Sequence, residues 1–395
     1  VARATPVDSV APTPILTPIT TPAPEMRVST VDSVVVEDGI SKAVFSAAGG
    51  ALQRVELKGY KALDRTNDHV SLQAGVSPLL SYRLVTGADD AHLPAEERAR
   101  RERMREGAAG VTAYATDDGV TVSAFTLAGR LFVAGLVSGM ARELAVDGPV
   151  FDPRPDPVAT RVAYVSGRAL RIAELDGSSW ELAGEADPTI SWGSADFIAA
   201  EEMHRFRGYW WSPDGAAIAA CRVDTSPVQR WYIANPAEPQ QPADEIRYPA
   251  AGTDNASVTL HVLALEGGAT EVLWDRHMYP YLATVCWAGA ERLIVTVQSR
   301  DQRSLMVLAA DPRTGATEPL FADGDTAWVE LVPGTPAVLA DGQLVTAADR
   351  DGARRLMVDG VPVTPADLQV RAVLRALPAV GRGLRDEEAP RGEQA

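Results

Sequence analysis

Cysteine and histidine are scarce in this chain of 395 residues. The two cysteines, Cys221 and Cys286, each lie inside an apolar run, which predicts buried strand residues and excludes a framework of disulfide bonds. The five histidines are scattered, and their spacing does not suit a metal site. We therefore expect neither a metal nor another cofactor.

The chain also lacks a long hydrophobic run and an excess of positive charge. Its longest apolar stretch, LFVAGLVSGMA between Arg130 and Arg142, is too short to cross a bilayer, and no signal peptide is visible. These features predict a cytoplasmic protein without a transmembrane segment. The 37 basic and 53 acidic residues give a net charge of −16, which repels phosphate backbones and argues against a nucleic-acid partner.

Short runs of Val, Ile, Leu and Ala, broken by Gly, Asp and Pro, are abundant, whereas helix-period patterns are rare. Hydrophobic residues make up 46% of the chain, enough for a sizeable core. After residue 111 a turn and three strands recur with a period of roughly 50 residues, as in the blades of a β-propeller. We predict an all-β fold, an incomplete propeller with the segments SPDG and LADG at turns between strands.

Composition divides the chain into four parts. Residues 1–26 are rich in Pro and Thr and predict a disordered leader, and residues 375–395 predict a disordered tail. Between them, residues 27–84 predict a short β segment, either sandwich-like or irregular, and residues 85–374 predict the propeller. Inside the propeller part, residues 94–106 predict a charged helix whose charges are spaced for i,i+4 pairing.

Two adjacent glutamates, Glu201 and Glu202, stand in the run DFIAAEEMHRFRGYWWSPDG. By residue type alone, such a pair is typical of a solvated helical turn. A confined cation is the alternative, because a primary ammonium has three donors and no acceptor and is satisfied by two carboxylates plus one further acceptor. Each charge-assisted hydrogen bond would contribute about 1.5–3 kcal/mol where water is excluded. The pair is therefore a candidate site for a free peptide N-terminus.

The run WGSADFIAAEEMHRFRGYWWSPDG resembles the glutamate motif in the propeller domain of the dipeptidyl peptidase IV family of serine peptidases. The likeness continues through YPYLATVCW and VQSRDQRSLMVLAAD and covers residues 91–374. It implies that Glu201 and Glu202 project from a short helix into a cavity and hold the substrate's N-terminal amine. It also supplies the upper bound of the five to seven four-stranded blades that we predict.

The charged segment LPAEERARRERMREGAAGVTAY is similar to an arginine-bearing segment of cytosolic members of this family. There, an arginine reaches the carbonyl of the substrate. The resemblance implies this role for Arg105 first and for Arg103 second. The alternative is a solvated helix laced by ion pairs, since the segment has almost no apolar stripe.

Catalytic residues are not found in the sequence, because it contains no G-x-S-x-G elbow for a nucleophilic serine. In the family that the chain resembles, an α/β-hydrolase domain follows the propeller. We therefore assign no catalytic residue and expect that domain to be missing from this chain. A homodimer is a further expectation for the full-length family context.

For the helix that carries the glutamates, the flanking residues give local predictions. Phe197, Ile198 and Met203 should anchor its other side, and the aromatic run from Tyr209 should begin the next strand. In the absence of a ligand, either Arg205 or Arg207 could offset the repulsion between the two carboxylates.

Residues 27–83 look somewhat like the opening of the periplasmic β-sandwich of the YidC membrane insertase, through Gly49-Gly50 followed by LQRVELKGY. That likeness implies a periplasmic or membrane-associated location. Three functions follow from the whole sequence. The first is the recognition and gating propeller of a dipeptidyl-peptidase-like serine peptidase; the alternatives are a non-catalytic scaffold and a fragment of membrane-protein insertion machinery.

Overall fold

The computed structural model describes residues 111, 113–234, 236–237 and 239–374, together with four strands near the start of the chain. Contacts divide the chain into two units, Val1–Pro78 and Leu79–Ala395. The domain boundaries inferred from composition stay predictions. In the first unit the strands form one antiparallel sheet in sequence order. These strands are β1 (Ser33–Glu37), β2 (Ser41–Ser46), β3 (Leu52–Leu57) and β4 (Val70–Gln73).

The described part of the second unit contains five large antiparallel sheets that follow one another along the chain, which we number as blades one to five. Blade one comprises β5 (Tyr114–Thr116), β6 (Val122–Leu127), β7 (Arg130–Gly135) and β8 (Met140–Leu144). Blade two comprises β9 (Val150–Pro155), β10 (Arg161–Ser166), β11 (Ala169–Glu174) and β12 (Ser179–Ala183).

Blade three departs from this plan by carrying insertions. It comprises β13 (Ile190–Trp192), β14 (Tyr209–Trp211), β15 (Ala217–Asp224), β18 (Ser257–Ala264) and β19 (Ala269–Val272). A helix, α1 (Phe197–Glu202), separates β13 from β14. A hairpin of its own, β16 (Arg230–Ile233) with β17 (Asp244–Arg247), separates β15 from β18.

Blades four and five return to the simple four-stranded order. Blade four comprises β20 (Tyr281–Trp287), β21 (Leu293–Gln298), β22 (Ser304–Ala310) and β23 (Thr317–Gly324). Blade five comprises β24 (Ala337–Val338), β25 (Leu344–Arg350), β26 (Ala353–Val358) and β27 (Val361–Pro362).

The blades are held together by side chains that alternate between the two faces of each sheet. In β10, Val162 and Tyr164 are fully buried against blade one, whereas Ala163 and Val165 are buried against blade three. The same alternation joins blade three to blade four and blade four to blade five. Since both faces of the inner blades are covered, their strands have the continuous apolar runs seen in the sequence.

This arrangement of successive four-stranded sheets confirms the predicted all-β propeller, with five blades in the described part of the chain. SPDG lies in the turn between β14 and β15, and LADG lies between β24 and β25, as predicted. Polar side chains close several of these turns. In blade one, the Asp117 carboxylate accepts hydrogen bonds from the backbone N–H groups of Thr121 at 2.7 Å and Val122 at 2.6 Å.

Candidate functional site

The glutamate pair lies on an excursion from the first strand of blade three. β13 pairs with the end of β15, from Asp224 to Arg222, and β14 pairs with the same strand from Ala220 to Ile218. The two short strands are therefore collinear halves of one edge strand. Residues 194–207 leave the sheet between them and carry α1.

Two glycines join this excursion to the sheet. Gly193 donates to the Cys221 carbonyl at 2.9 Å, and the Cys221 N–H donates to the Gly208 carbonyl at 2.7 Å, so the ladder continues across the break. Gly208 packs directly on Ser194, and a Cβ atom at this position would lie 2.3 Å from the Ser194 carbonyl oxygen. A bridge between Ser194 and Arg207 closes the base of the excursion. Position 208 therefore requires glycine, because the backbone there lies so close to the backbone of Ser194.

Helix α1 has a capping side chain at its start. Asp196 is the N-cap residue, and its carboxylate accepts a hydrogen bond from the Ala199 N–H at 3.2 Å. At the other end the Ala199 carbonyl accepts from the N–H groups of both Met203, at 3.2 Å, and Arg205, at 3.0 Å. His204 adopts a left-handed conformation, with φ of 52°, which turns the chain back toward the sheet.

Arg205 fixes the helix to the body of the propeller. Its side chain is 5% exposed and pairs with Asp196 at 3.0 Å, the same carboxylate that caps the helix. It also donates to the backbone carbonyls of Arg207, at 2.9 Å, and of Leu282 in blade four, at 3.2 Å. The suggestion that Arg205 offsets the repulsion of the glutamate pair is wrong, because this guanidinium is directed to Asp196 and to carbonyl groups.

The packed face of α1 is formed mainly by small residues. Ala199, Ala200 and Met203 are buried, whereas Phe197 and Ile198, predicted as anchors, are only partly buried. Alanines let the helix lie close to β20, which larger side chains at these positions would prevent. Phe197 instead makes an edge contact with the Tyr248 ring, with centroids 5.3 Å apart. Met203 is the one predicted anchor that is buried.

Glu201 and Glu202 lie in the last turn of α1, as predicted, and both are exposed. Because successive helix residues diverge by about 100°, both carboxylates can meet one ammonium only off the helix end or in a cleft between them. Directly past this end, the chain enters the wall of a cavity at Met203.

The cavity lies between the first strands of blades one to four and the segment that precedes blade five, and it has a volume of about 520 Å³. Its wall includes side chains of β5, β9 and β20, the segment from Met203 to Arg207, and residues 331–335 before β24. The apolar part of the wall is formed by Phe151, Trp210, Val285 and Leu331, among others.

The charged part of the cavity wall comes from blades two and three. A bulge in β9 separates Phe151 from Arg154 in the ladder, and Asp152 there has φ of 47°. The Asp152 carboxylate pairs with Arg154 at 2.8 Å. Arg207 lies over the Trp210 ring, 5.4 Å from its centroid. Burial, and next the positive charge of Arg154, lower the pKa of Arg207 to about 10.

Arg103, Arg105 and the predicted helix over residues 94–106 lie outside the described residues. Among the residues that are described, no three His, Cys, Asp or Glu side chains are grouped as metal ligands. The same part of the chain contains no helix with the length and apolar character needed to cross a membrane.

Residues 125–364 match the family model described as the dipeptidyl peptidase IV N-terminal region. The chain belongs to this family. Its match starts within blade one and ends after blade five, so it includes the interrupted strand, α1 and nearly all of the cavity wall. The sequence resemblance through the glutamate motif is thus confirmed at the level of the propeller.

Individual relatives resemble part of the chain. Rat inactive dipeptidyl peptidase 10 is 27% identical over 172 residues, which are 41% of this chain and 22% of the relative. A probable dipeptidyl-aminopeptidase B of Pyrenophora tritici-repentis is 27% identical over 219 residues, 49% of this chain and 25% of the relative. Mouse dipeptidyl peptidase 8 is 26% identical over 218 residues, covering 47% and 24%. The matched regions therefore span about a quarter of these relatives.

The crystal structure of dipeptidyl peptidase 4 from Porphyromonas gingivalis has a similar fold, with a TM-score of 0.57 and 15% sequence identity. The match covers 84% of this chain and 45% of that chain. At this identity the likeness concerns the fold alone, which is the propeller.

Proposed function

We propose that this propeller recognises the free N-terminal amine of a peptide through Glu201 and Glu202, on behalf of a serine-type hydrolase domain outside this chain. The observation that carries the proposal is the built excursion of blade three. It presents two adjacent carboxylates at the end of a helix, directly before the chain enters the cavity wall.

The helix that carries the glutamate pair is rigidly attached to the propeller, as a binding site requires. A solvated turn needs no rigid base, yet this helix is capped by Asp196, fixed by the buried Arg205 and closed at its base by Gly208. The carboxylates stand at the C-terminal end of α1, where the partial negative charge of the helix also favours a cation. An ammonium placed off this end could donate hydrogen bonds to both carboxylates.

The remaining parts of the site come from the family resemblance. We propose that Arg105, with Arg103 as the second candidate, contacts the carbonyl of the bound peptide, and that the segment gates access to it. The nucleophile would belong to the hydrolase domain of the complete protein. One relative is named an inactive dipeptidyl peptidase, so binding is the property to test before cleavage.

Titration calorimetry of the 395-residue chain tests amine recognition directly. The titrants are alanyl-proline amide with a free amine, its N-acetyl analogue, and the free-amine peptide added to a Glu201→Gln/Glu202→Gln variant. We expect weak binding of the free-amine peptide and loss of the same heat on acetylation and in the variant, because each change removes a charge-assisted hydrogen bond.

A matched control is a Glu291→Gln/Glu318→Gln variant in blade four, where both side chains are more than 70% exposed. It removes two carboxylates remote from α1 and should bind like the unsubstituted chain. If the acetylated peptide binds as well as the free one, the glutamates are a solvated turn and the propeller is a scaffold. Loss of binding in Arg105→Gln would support the proposed carbonyl contact.

A further inference from the structure

The charge of the cavity wall has the opposite sign to the charge of the whole chain. The chain carries a net charge of −16, yet among the described residues the charged ones that line the cavity are three arginines and one aspartate. Arg205 is neutralised by Asp196, and Arg154 by Asp152. Arg207 is therefore the cavity arginine left without a carboxylate partner among the described residues.

Arg207 is held in the wall of the cavity, where its guanidinium can contact a ligand. Its backbone is fixed by the bridge to Ser194, and its carbonyl accepts a hydrogen bond from Arg205 at 2.9 Å. The guanidinium lies over the Trp210 ring, with its central carbon 5.4 Å from the ring centroid. Burial, and next the positive charge of Arg154, lower the pKa of Arg207, while the negative charge of Asp152 opposes them, so an added anion would stabilise the charged guanidinium.

We propose that Arg207 binds a carboxylate of a peptide that enters the propeller cavity. The planar guanidinium donates two parallel hydrogen bonds, which matches the fork of a carboxylate. The apolar remainder of the wall, including Phe151, Val285 and Leu331, suits the body of a short peptide. The proposal concerns Arg207 alone and does not rest on amine recognition by the glutamate pair.

The test uses blocked peptides that have no free amine, so that amine recognition by the glutamate pair cannot contribute to the measured binding. Calorimetry of the full chain compares N-acetyl-alanyl-alanine with its C-terminal amide, with an N-acetyl-aspartyl amide, and with inorganic phosphate. We expect both carboxylates to bind and the neutral amide to give no heat. The comparison of the two carboxylates decides whether a C-terminus or an acidic side chain is preferred.

Substitution locates the site. Arg207→Gln should weaken binding of the preferred carboxylate by about tenfold or more, and Arg207→Lys should also weaken it, because a lysine keeps the charge but loses the fork. Arg168→Gln, which removes an exposed arginine in blade two, should leave binding unchanged. Thermal melting of each variant checks that it is folded.

Three results would overturn the proposal. One is binding of the neutral amide as tightly as the carboxylates, and another is unchanged binding in both Arg207 variants. The third is that phosphate binds and neither carboxylate peptide does, or that none of the four titrants binds. Either outcome would mean that the cavity does not bind peptide carboxylates. If Arg207→Gln does not fold, the peptide comparison on the unsubstituted chain and the Arg207→Lys variant still decide the outcome.

Discussion

Blades three and four are built on the same antiparallel ladder but treat their first strand differently. In blade four, β20 runs unbroken from Tyr281 to Trp287 beside β21, with one irregularity between Leu282 and Thr284. In blade three the equivalent strand is divided into β13 and β14, and residues 194–207 leave the sheet between them. In the regular blade, the strand next to β20, which is β21, is buried along its whole length. In the divided blade, the segment that leaves the sheet exposes two glutamates.

The comparison teaches that the first strands of blades two, three and four depart from regular pairing where they meet the cavity. β9 has a bulge at Asp152, β20 has one near Ala283, and blade three extends the same device into a helix. A bulge re-aims side chains without breaking the sheet, since the ladder resumes on either side. The blades therefore differ in how far the first strand leaves the ladder, and substitutions can test what holds the longer excursion in place.

The largest effect should come from removing the buried arginine of the divided blade. Arg205→Met leaves Asp196 buried without its partner and frees the Leu282 carbonyl, so we expect the free energy of unfolding to fall by about 4 kcal/mol. Urea unfolding followed by tryptophan fluorescence measures this, because all eight tryptophans lie in the propeller unit.

The matched change in the regular blade is Arg313→Met. Arg313 pairs with Glu291 in blade four, but both side chains are more than 70% exposed, so its loss should cost less than about 1 kcal/mol. Equal losses in the two variants would show that the Asp196–Arg205 pair does not fix the excursion.

A somewhat smaller effect should follow from Gly208→Ala. The added Cβ would meet the Ser194 backbone within 2.3 Å and force the base of the excursion apart, which we expect to cost about 3 kcal/mol. Gly289→Ala in blade four is the control, because a Cβ there meets nothing within 4 Å and the cost of its φ of 79° is about 1 kcal/mol. Urea unfolding of both variants gives the comparison, and similar costs would contradict the role of close approach.

The smallest effect concerns pH and Glu185, before β13. Hydrogen bonds from Arg222 lower the pKa of Glu185 below its ordinary value of 4.5; burial opposes this, and a hydrogen bond from Trp192 assists it. The folded state therefore holds the ionised carboxylate more strongly than the unfolded chain does. The stabilisation is complete above about pH 5 and is lost as the pH falls through the lowered folded pKa.

Glu185→Gln should consequently lower the free energy of unfolding by about 1 kcal/mol at neutral pH, since solvent screening limits a pair of this exposure. The difference from the unsubstituted chain should narrow as the pH falls below about 5. Glu291→Gln in blade four should show little difference at any pH. A gap for Glu185→Gln that stays constant with pH would argue for lost packing in place of lost charge.

Several features of the site were readable from local sequence. The run from Phe197 to Glu202 is helical, the aromatic run from Tyr209 is a strand, and SPDG is a turn, because each depends on neighbours within a few residues. The suggestion that Arg205 offsets the glutamate pair was wrong, because its carboxylate partner is Asp196 on the same excursion. Its contact with the Leu282 carbonyl could not be predicted, because Leu282 lies far along the chain in the next blade and its position follows only from the packing of one sheet on another.

By itself, the sequence determined the all-β class, the repeat of strands and turns, and the membership of the glutamate segment in a dipeptidyl peptidase propeller. Alternation of apolar residues and the turn-forming residues Asp, Gly and Pro carry the fold class and the repeat locally, whereas the family was indicated by the resemblance of the glutamate segment. Only the tertiary structure decided that β13 and β14 are one strand, that Gly208 is needed for close approach to Ser194, and that Arg207 lies in a cavity. Each of these depends on backbone segments distant in sequence meeting in space, which no local pattern records.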